Sequence, residues 1–479
     1  MTHEQFAYRI AYGCWLNDSR TEPIVDESWP SIRIDEQTLE SLDKTMSFIH
    51  DAGYNAFDVF GLITNNNWTQ DIVSTVDEKR KSQVRQVIDI VHRHDLKLIY
   101  GLGVYSWGFD DYIAHNSEVR GTSKQAMCAS SPAAEKVMYK VIDFVVDNFA
   151  IDGFHLEAAD QGRCACDKCR KYDDVEYFNR INLLVANYIR NRWPDKVLLM
   201  NTSGYLAWGD TFSKEELDSL VPLCNTIDVF IDVGSHGYFV DTSDREDFIR
   251  SIDASFGTAN GFWIYPPQRW NRLRWFIPHL QQNHWNLKEV FDAGGTGCEL
   301  YLAPLVNPGV EMTILCNGLF LQNPVRSIDE ILNEGIVMLY GELNGDDQRF
   351  LASIFKDAEN YFFNSFNPIR NRSVEETYSD GVERIFSWSK NHPELAVPGE
   401  LFLERLFGIG AGYPCYLTVH FDSEGRQTYY ESMKSLLVRA VDIAKRNRAC
   451  ARLQRIVAAI EATIDDIILV MEDFDSSSK

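Results

Sequence analysis

Basic residues are outnumbered by acidic ones in this sequence, and it shows no pattern typical of a membrane-spanning or targeting segment. Its 479 residues hold 46 Lys and Arg against 70 Asp and Glu, a net charge of −24. A chain this acidic repels nucleic acids and anionic membrane surfaces, so we exclude both as partners. No apolar run approaches the roughly 20 residues that cross a bilayer. The N-terminus has no basic segment followed by an apolar one, so we expect a cytoplasmic location, unless a leader has been removed.

Signatures of two other protein classes are also missing. A doubly wound open sheet usually carries a glycine-rich phosphate turn after its first strand, and Gly13-Cys14-Trp15 is not such a turn. A metal-dependent hydrolase needs histidines at its strand ends, and the first predicted strand has no His-x-His pair. The sequence therefore disfavours both classes.

Short apolar segments alternate with helical patterns along the first two thirds of the chain. This alternation predicts βα units, and eight such units in about 300 residues predict a (β/α)8 barrel, the TIM barrel. The predicted strands are 9–15, 55–61, 97–104, 153–156, 196–200, 227–233, 261–265 and 297–302.

The pattern changes to helices after Pro324. We predict helices at 327–340, 346–363, 398–407, 427–447 and 449–473. The chain is thus expected to have a catalytic barrel domain, 1–325, and a C-terminal α-helical domain, 326–479. The helical domain is expected either to form a homodimer or to pack onto its own barrel.

Carboxylates lie at the ends of several predicted strands, where parallel α/β folds place their chemistry. Glu157 and Asp160 follow the fourth strand, and Asp232 lies in the sixth. Asp58 is a weaker candidate, since a buried hydrogen-bond network is its alternative role. A glycosidase needs two carboxyl groups, one to protonate the leaving oxygen and one to stabilise or attack the anomeric carbon. We predict Glu157 as the general acid, with Asp160 or Asp232 as the second group. A salt bridge or a helix cap is the alternative role for Glu157 and Asp160.

Side chains that suit a sugar site follow the same strands. Aromatic residues make up 13% of the chain, and sugar rings stack on such side chains, although most aromatic residues serve the core. The predicted sugar platforms are Trp107, Trp208, Trp263 and Tyr265. Polar candidates for contacts with hydroxyl or acyl groups are His155, Asn201, Tyr205, His236 and Glu299. Strand alternation is also compatible with Glu299 turned away from the barrel mouth, and a histidine near a strand end is more often structural.

Cysteines cluster after the fourth strand. Cys164, Cys166 and Cys169 form a Cys-x-Cys-x-x-Cys motif, and Cys128 precedes the same helix–strand unit. Zinc favours four cysteines in a closed structural site, which leaves no position for a catalytic water. The alternatives are buried free thiols, or a disulfide if the protein is exported. We therefore expect at most a structural zinc, and no cofactor for catalysis.

The order of these motifs resembles that of a known superfamily. It starts with Met127-Cys128-Ala129-Ser130-Ser131-Pro132, a helix, the fourth strand, Glu157-Ala158-Ala159-Asp160 and the cysteine motif. It continues with a helix that carries Asn179 and Asn182, then Trp193-Pro194-Asp195 and a strand that ends near Tyr205. Residues 317–324 and 327–332 complete the similarity, because they resemble the segment in which the chain passes from such a barrel into a helical domain. The arrangement resembles glycoside-hydrolase-like (β/α)8 barrels, relatives of α-glucuronidases and N-acetyl-hexosaminidases, over roughly residues 5–340.

Residues and resemblance together predict a glycoside hydrolase that acts on a carbohydrate. If Glu157 and Asp160 act together, their closeness suits a substrate-assisted mechanism on an N-acetyl-hexosaminide, in which the sugar's own N-acetyl group attacks. If Asp232 is the partner, the site spans the barrel mouth. The alternative function is a non-catalytic barrel that binds carbohydrate without turnover.

Overall fold

The fold was determined as a computed structural model. It describes residues 4–15, 33–63, 73–159, 162–206, 211–233, 239, 242–261, 275–302, 305, 307–365 and 423–475. Eight parallel strands close into a barrel in the order β1 to β8, which confirms the predicted fold class. The strands are β1 Tyr8–Trp15, β2 Ala56–Phe60, β3 Lys97–Gly103, β4 Gly153–Glu157, β5 Val197–Asn201, β6 Val229–Asp232, β7 Ser255–Gly261 and β8 Gly297–Tyr301.

Helices separate the strands and extend beyond the barrel. Those between strands are α1 Glu36–Ala52, α2 Glu78–Arg93, α3 Asp110–His115, α4 Pro132–Asn148, α5 Asp174–Arg192, α6 Lys214–Cys224, α7 Thr242–Ser251 and α8 Gln281–Asp292. Those that follow are α9 Pro308–Gln322, α10 Ile328–Tyr340, α11 Gly345–Asn364, α12 Ser423–Arg446 and α13 Ala451–Asp475. The helix predicted at 398–407 lies outside the described residues. Among the described helices, none is both long and apolar enough to cross a bilayer.

Local sequence signals position β4 and the helix before it. Ser131 caps α4 by accepting hydrogen bonds from the backbone N–H groups of Ala133 and Ala134, and Pro132 occupies the first turn. Gly153 then starts β4, where a Cβ atom would lie 2.3 Å from the carbonyl oxygen of Val197. A side chain at this position would therefore push β4 away from β5.

The seventh strand is the one that the sequence misplaced. We predicted residues 261–265, but β7 is Ser255–Gly261, and residues 262–265 lie outside the described part of the chain. Apart from Phe256, its sequence, Ser-Phe-Gly-Thr-Ala-Asn-Gly, consists of small or polar residues, so it lacks the apolar run of a buried strand. Gly257 explains part of this composition, because a Cβ atom there would lie 2.5 Å from the backbone of Gly297 on β8. The barrel interior therefore excludes larger side chains at this point.

The described residues form two compact units. The first contains α1 to α7, the barrel strands and Val290–Leu302, and the second contains 275–289 and α9 to α13. Within the second unit, α9 is buried on every side from Pro308 to Leu321, which is typical of a central helix. Two arginines of α13, Arg452 and Arg455, contact the buried carboxylate of Glu311 on α9 at 2.5 and 3.3 Å.

Candidate active site

Three titratable side chains meet inside the barrel. Asp58 on β2, His155 on β4 and Glu299 on β8 each have no exposed surface. Nδ1 of His155 lies 2.5 Å from Oδ2 of Asp58 and 3.5 Å from Oε1 of Glu299. We call these three residues the inner cluster. Tyr12 and Phe60 enclose it, with ring centroids 5.6 and 5.1 Å from that of His155.

Burial controls the protonation of the inner cluster. Loss of water contacts raises the pKa of Asp58 well above its ordinary value and raises the pKa of Glu299 to about 8. Burial also lowers the pKa of His155, although the nearby Glu299 carboxylate and a hydrogen bond with Asn201 act in the opposite direction. The cluster therefore favours neutral side chains near pH 7, because an ionised group there would have no water around it.

Glu157 lies directly beyond the inner cluster. It follows His155 by two residues on β4, so both side chains project from the same face of the strand. Oε2 of Glu157 lies 3.9 Å from Nε2 of His155, and the whole residue is 4% exposed. The predicted general acid thus occupies the carboxyl end of β4, where barrel enzymes place their chemistry.

Two further predicted residues end neighbouring strands. Asn201 ends β5, and its Oδ1 accepts a hydrogen bond from the backbone N–H of Ser203 at 3.1 Å. Asp232 ends β6 and is 2% exposed. The carboxyl ends of β4, β5 and β6 therefore present Glu157, Asn201 and Asp232 at the same end of the barrel.

The loop after β3 carries an aromatic side chain on an unusual backbone. Tyr105 and Trp107 have φ angles of 64° and 59°, in the left-handed region that side chains disfavour. The loop turns tightly, because a Cβ atom on Gly103 would lie 2.2 Å from the carbonyl oxygen of Ser106. The Trp107 ring lies 6.1 Å from the Phe60 ring. Backbone strain of this kind collects at functional sites, and a role of Trp107 in such a site stays a prediction.

Some of the remaining predicted site residues are buried, and the others lie outside the described part of the chain. Tyr205 is 2% exposed, and its hydroxyl oxygen accepts a hydrogen bond from Nδ2 of Asn182 at 2.8 Å. His155 and Glu299 are fully buried in the inner cluster, and their direct contacts with a sugar, like that of Tyr205, stay a prediction. The residues outside the described part of the chain are Asp160, Trp208, His236, Trp263 and Tyr265.

Sequence reasoning missed the aromatic wall of the inner cluster. Tyr12 on β1 packs edge-on against Tyr301 on β8, with ring centroids 4.5 Å apart. The two residues are directly paired in the β1–β8 register. The alternation of β1 could have identified Tyr12 as an inward residue, but the partners on other strands depend on barrel closure.

The four cysteines also come together. Sγ of Cys128 lies 3.8 Å from Sγ of both Cys166 and Cys169, and all four sulfurs lie within 4.8 Å of one another. The backbone N–H groups of Cys169 and Lys168 help to lower the pKa of Cys166 to about 6. These residues are free thiols, so the predicted disulfide alternative is not present in this structure.

Comparisons with known proteins give likeness in structure alone. No protein family and no curated protein matches the sequence. Among solved structures, a GH138 enzyme targeting pectin rhamnogalacturonan II is similar over 97% of this chain and 71% of its own, with a TM-score of 0.57 and 9% identity. An O-GlcNAc hydrolase mutant of Thermobaculum terrenum is similar over 98% of this chain and 96% of its own, with a TM-score of 0.50 and 12% identity. At these identities the likeness shows the barrel fold.

Proposed function

We propose that this chain is a glycoside hydrolase in which Glu157 is the general acid. The observation that supports this most is the placement of two nearly buried carboxyl groups, Glu157 and Asp232, at the carboxyl ends of two strands of one closed barrel. Hydrolysis of a glycosidic bond needs such a pair of acids. The structural neighbours are glycoside hydrolases, which agrees with this proposal.

The second carboxyl group decides the mechanism. In the first version of the proposal, Asp232 acts as the partner of Glu157 across the barrel mouth, either as nucleophile or as the base that activates water. In the second, Asp160 and Glu157 act from the same strand end, and the acetamido group of an N-acetyl-hexosaminide supplies the nucleophile. A neighbour that is an O-GlcNAc hydrolase makes an N-acetyl-hexosaminide the first substrate class to test.

Trp107 is the proposed sugar platform. Its partly exposed ring follows β3, the strand that pairs with the strand of Glu157. A ring fixed by a strained loop loses little conformational freedom when a sugar stacks on it. This arrangement supports a site in which the platform and the acid approach the same sugar.

The experiment is hydrolysis of aryl α- and β-glycosides, including N-acetylglucosaminides, N-acetylgalactosaminides, glucuronides, glucosides, galactosides and fucosides. Wild type is compared with Glu157→Gln and Asp232→Asn. The matched controls are Asp152→Asn and Asp228→Asn, which alter carboxylates just before the same two strands, at their opposite ends. Each control carboxylate accepts a hydrogen bond from a backbone N–H of a neighbouring strand, so we expect these variants to lose stability but keep kcat.

We expect turnover of one glycoside class, with a loss of about 10²–10⁴-fold in kcat for Glu157→Gln. Near-wild-type activity of Glu157→Gln would contradict the proposed role. If no glycoside is hydrolysed, the chain is either an endo-enzyme that needs a longer glycan or a protein that binds carbohydrate without turnover. Thermal shifts with oligosaccharides, together with assays on longer glycans, distinguish these two explanations. Binding that persists in Glu157→Gln without turnover of any longer glycan would favour the carbohydrate-binding alternative.

A further inference from the structure

We propose that Cys128, Cys164, Cys166 and Cys169 bind one zinc ion in a closed tetrahedral site that joins the loops after β3 and β4. Three of the four residues are buried, and Cys166 is partly exposed. None of its four residues is one of the carboxyl groups proposed for catalysis. Its role is therefore structural, and the proposal stands whether or not the chain hydrolyses glycosides.

Two of the distances between the sulfurs match those around a single ion. Zinc–sulfur bonds are about 2.3 Å long, so the edge of a regular ZnS4 tetrahedron is about 3.8 Å. The distances from Sγ of Cys128 to those of Cys166 and Cys169 are both 3.8 Å. Four thiolates on separate irons of a cluster would lie farther apart. Four thiolates in a tetrahedral set suit zinc or iron, and zinc forms closed structural sites of this kind.

Hydrogen-bond donors surround the sulfurs as they do in thiolate metal sites. The hydroxyl of Thr122 donates to Sγ of Cys164 at 3.7 Å, and Oγ of Ser130 lies 3.2 Å from Sγ of Cys169. Such donors offset the negative charge of metal-bound thiolates and fix their orientation.

The backbone is shaped to let the sulfurs converge. A Cβ atom on Gly121 would lie 2.1 Å from Sγ of Cys164 and 3.1 Å from Cβ of Cys128. Any side chain at residue 121 would therefore displace the sulfur of Cys164. The hydroxyl of Thr122 also accepts a hydrogen bond from the backbone N–H of Ala165 at 2.6 Å, so a direct hydrogen bond joins the two cysteine-bearing segments.

The site is connected to the proposed sugar platform through the backbone. The N–H of Met127, beside Cys128, donates to the carbonyl oxygen of Tyr105 at 2.8 Å. Tyr105 is two residues from Trp107 in the strained loop after β3. The remaining three cysteines lie in the loop that follows Glu157. A metal at this site would thus hold the loop that carries Trp107 to the loop that follows Glu157.

The first test is the metal content of the full chain, purified without chelators from zinc-supplemented medium. We expect about one zinc per chain in wild type and almost none in Cys166→Ala/Cys169→Ala. The matched control is Cys224→Ala, which removes a buried thiol of α6 outside the cluster and should keep the zinc. Wild type that carries no more zinc than the double variant overturns the proposal, and iron at the same stoichiometry overturns the choice of metal.

The second test needs no variant. Zinc is released from wild type with a thiol-blocking mercurial and detected with a colorimetric chelator, and hydrogen exchange is followed before and after release. We expect faster exchange in 119–131 and 162–171, with no change in α12. Unchanged exchange in both loop segments would show that the metal does not fix them.

Discussion

Nε2 of His155 lies 3.9 Å from Oε2 of Glu157, and this contact connects the proposed general acid to the inner cluster. On the other side of the imidazole, Nδ1 lies 2.5 Å from Oδ2 of Asp58. Burial favours the neutral forms of both Asp58 and His155. Neutral forms of both groups would place the proton of Asp58 in the bond to Nδ1 and the proton of His155 on Nε2, the nitrogen nearer to Glu157.

The first prediction concerns this tautomer. We expect the ¹⁵N chemical shifts of His155 at pH 7 to show a neutral ring protonated at Nε2. Asp58→Asn keeps an N–H donor for Nδ1 and should retain most of the activity, whereas Asp58→Leu, of similar size, removes it. The leucine variant should lose about 1–3 kcal/mol of unfolding free energy, because Nδ1 is left without a donor. If both variants lose the same unfolding free energy, or if His155 is an imidazolium in the wild type, the interaction between Asp58 and His155 is ionic.

The second prediction is a pH dependence of stability. The folded-state pKa of Glu299 is about 8, against an ordinary value of 4.5. Above pH 4.5 the unfolded chain releases this proton and the folded chain does not, so the contribution of Glu299 to stability should fall as pH rises from about 4.5 to 8. The difference in unfolding free energy between wild type and Glu299→Gln should shift by up to a few kcal/mol over this range.

Glu330 provides a control, because its contribution to stability should change with pH in the opposite direction. A hydrogen bond from the Ser327 side chain lowers the pKa of this exposed carboxyl. The stabilisation from Glu330 is therefore present above its ordinary pKa and is lost as pH falls through the folded-state value. Urea denaturation at several pH values should give opposite slopes for Glu299→Gln and Glu330→Gln. A flat difference for Glu299→Gln would show that Glu299 ionises freely in the folded barrel.

The third prediction concerns Gly101 and Phe60 inside the barrel. A Cβ atom on Gly101 would lie 2.2 Å from the Phe60 ring. We expect Gly101→Ala to lower the unfolding free energy by about 1–3 kcal/mol through overpacking. Phe60→Leu removes much of the ring, so the double variant should be more stable than the sum of the single effects indicates. Additive losses in a urea-denaturation cycle would mean that the glycine is needed for its backbone instead.

The fourth prediction uses the left-handed backbone at Trp107. Glycine in place of alanine usually destabilises a folded chain by about 0.5–1 kcal/mol, because it loses more conformational freedom. At a φ of 59° the order should reverse, and Trp107→Gly should be more stable than Trp107→Ala. Both variants should bind sugar more weakly than wild type. Thermal unfolding in which Trp107→Ala is the more stable would indicate that the loop is not strained at this residue.

Most of the barrel could be predicted from local sequence because its signals are local. Runs such as Lys97–Gly103 are apolar and short, and residues such as Ser131 and Pro132 mark where helices begin. The seventh strand was misplaced because it lacks an apolar run, and part of the reason is that there is no room for a side chain at Gly257 beside the backbone of Gly297. That requirement comes from a strand distant in sequence, and no local pattern records it.

The sequence by itself determined the fold class, the carboxylates at the strand ends and the four-cysteine set, since each depends on residue type and spacing. Only the tertiary structure decided that Asp58, His155 and Glu299 share one buried cluster beneath Glu157. These residues lie on three strands, and closure of the barrel is what brings them within hydrogen-bonding distance. Their protonation follows from the same closure, because it removes the water that would otherwise stabilise their charges.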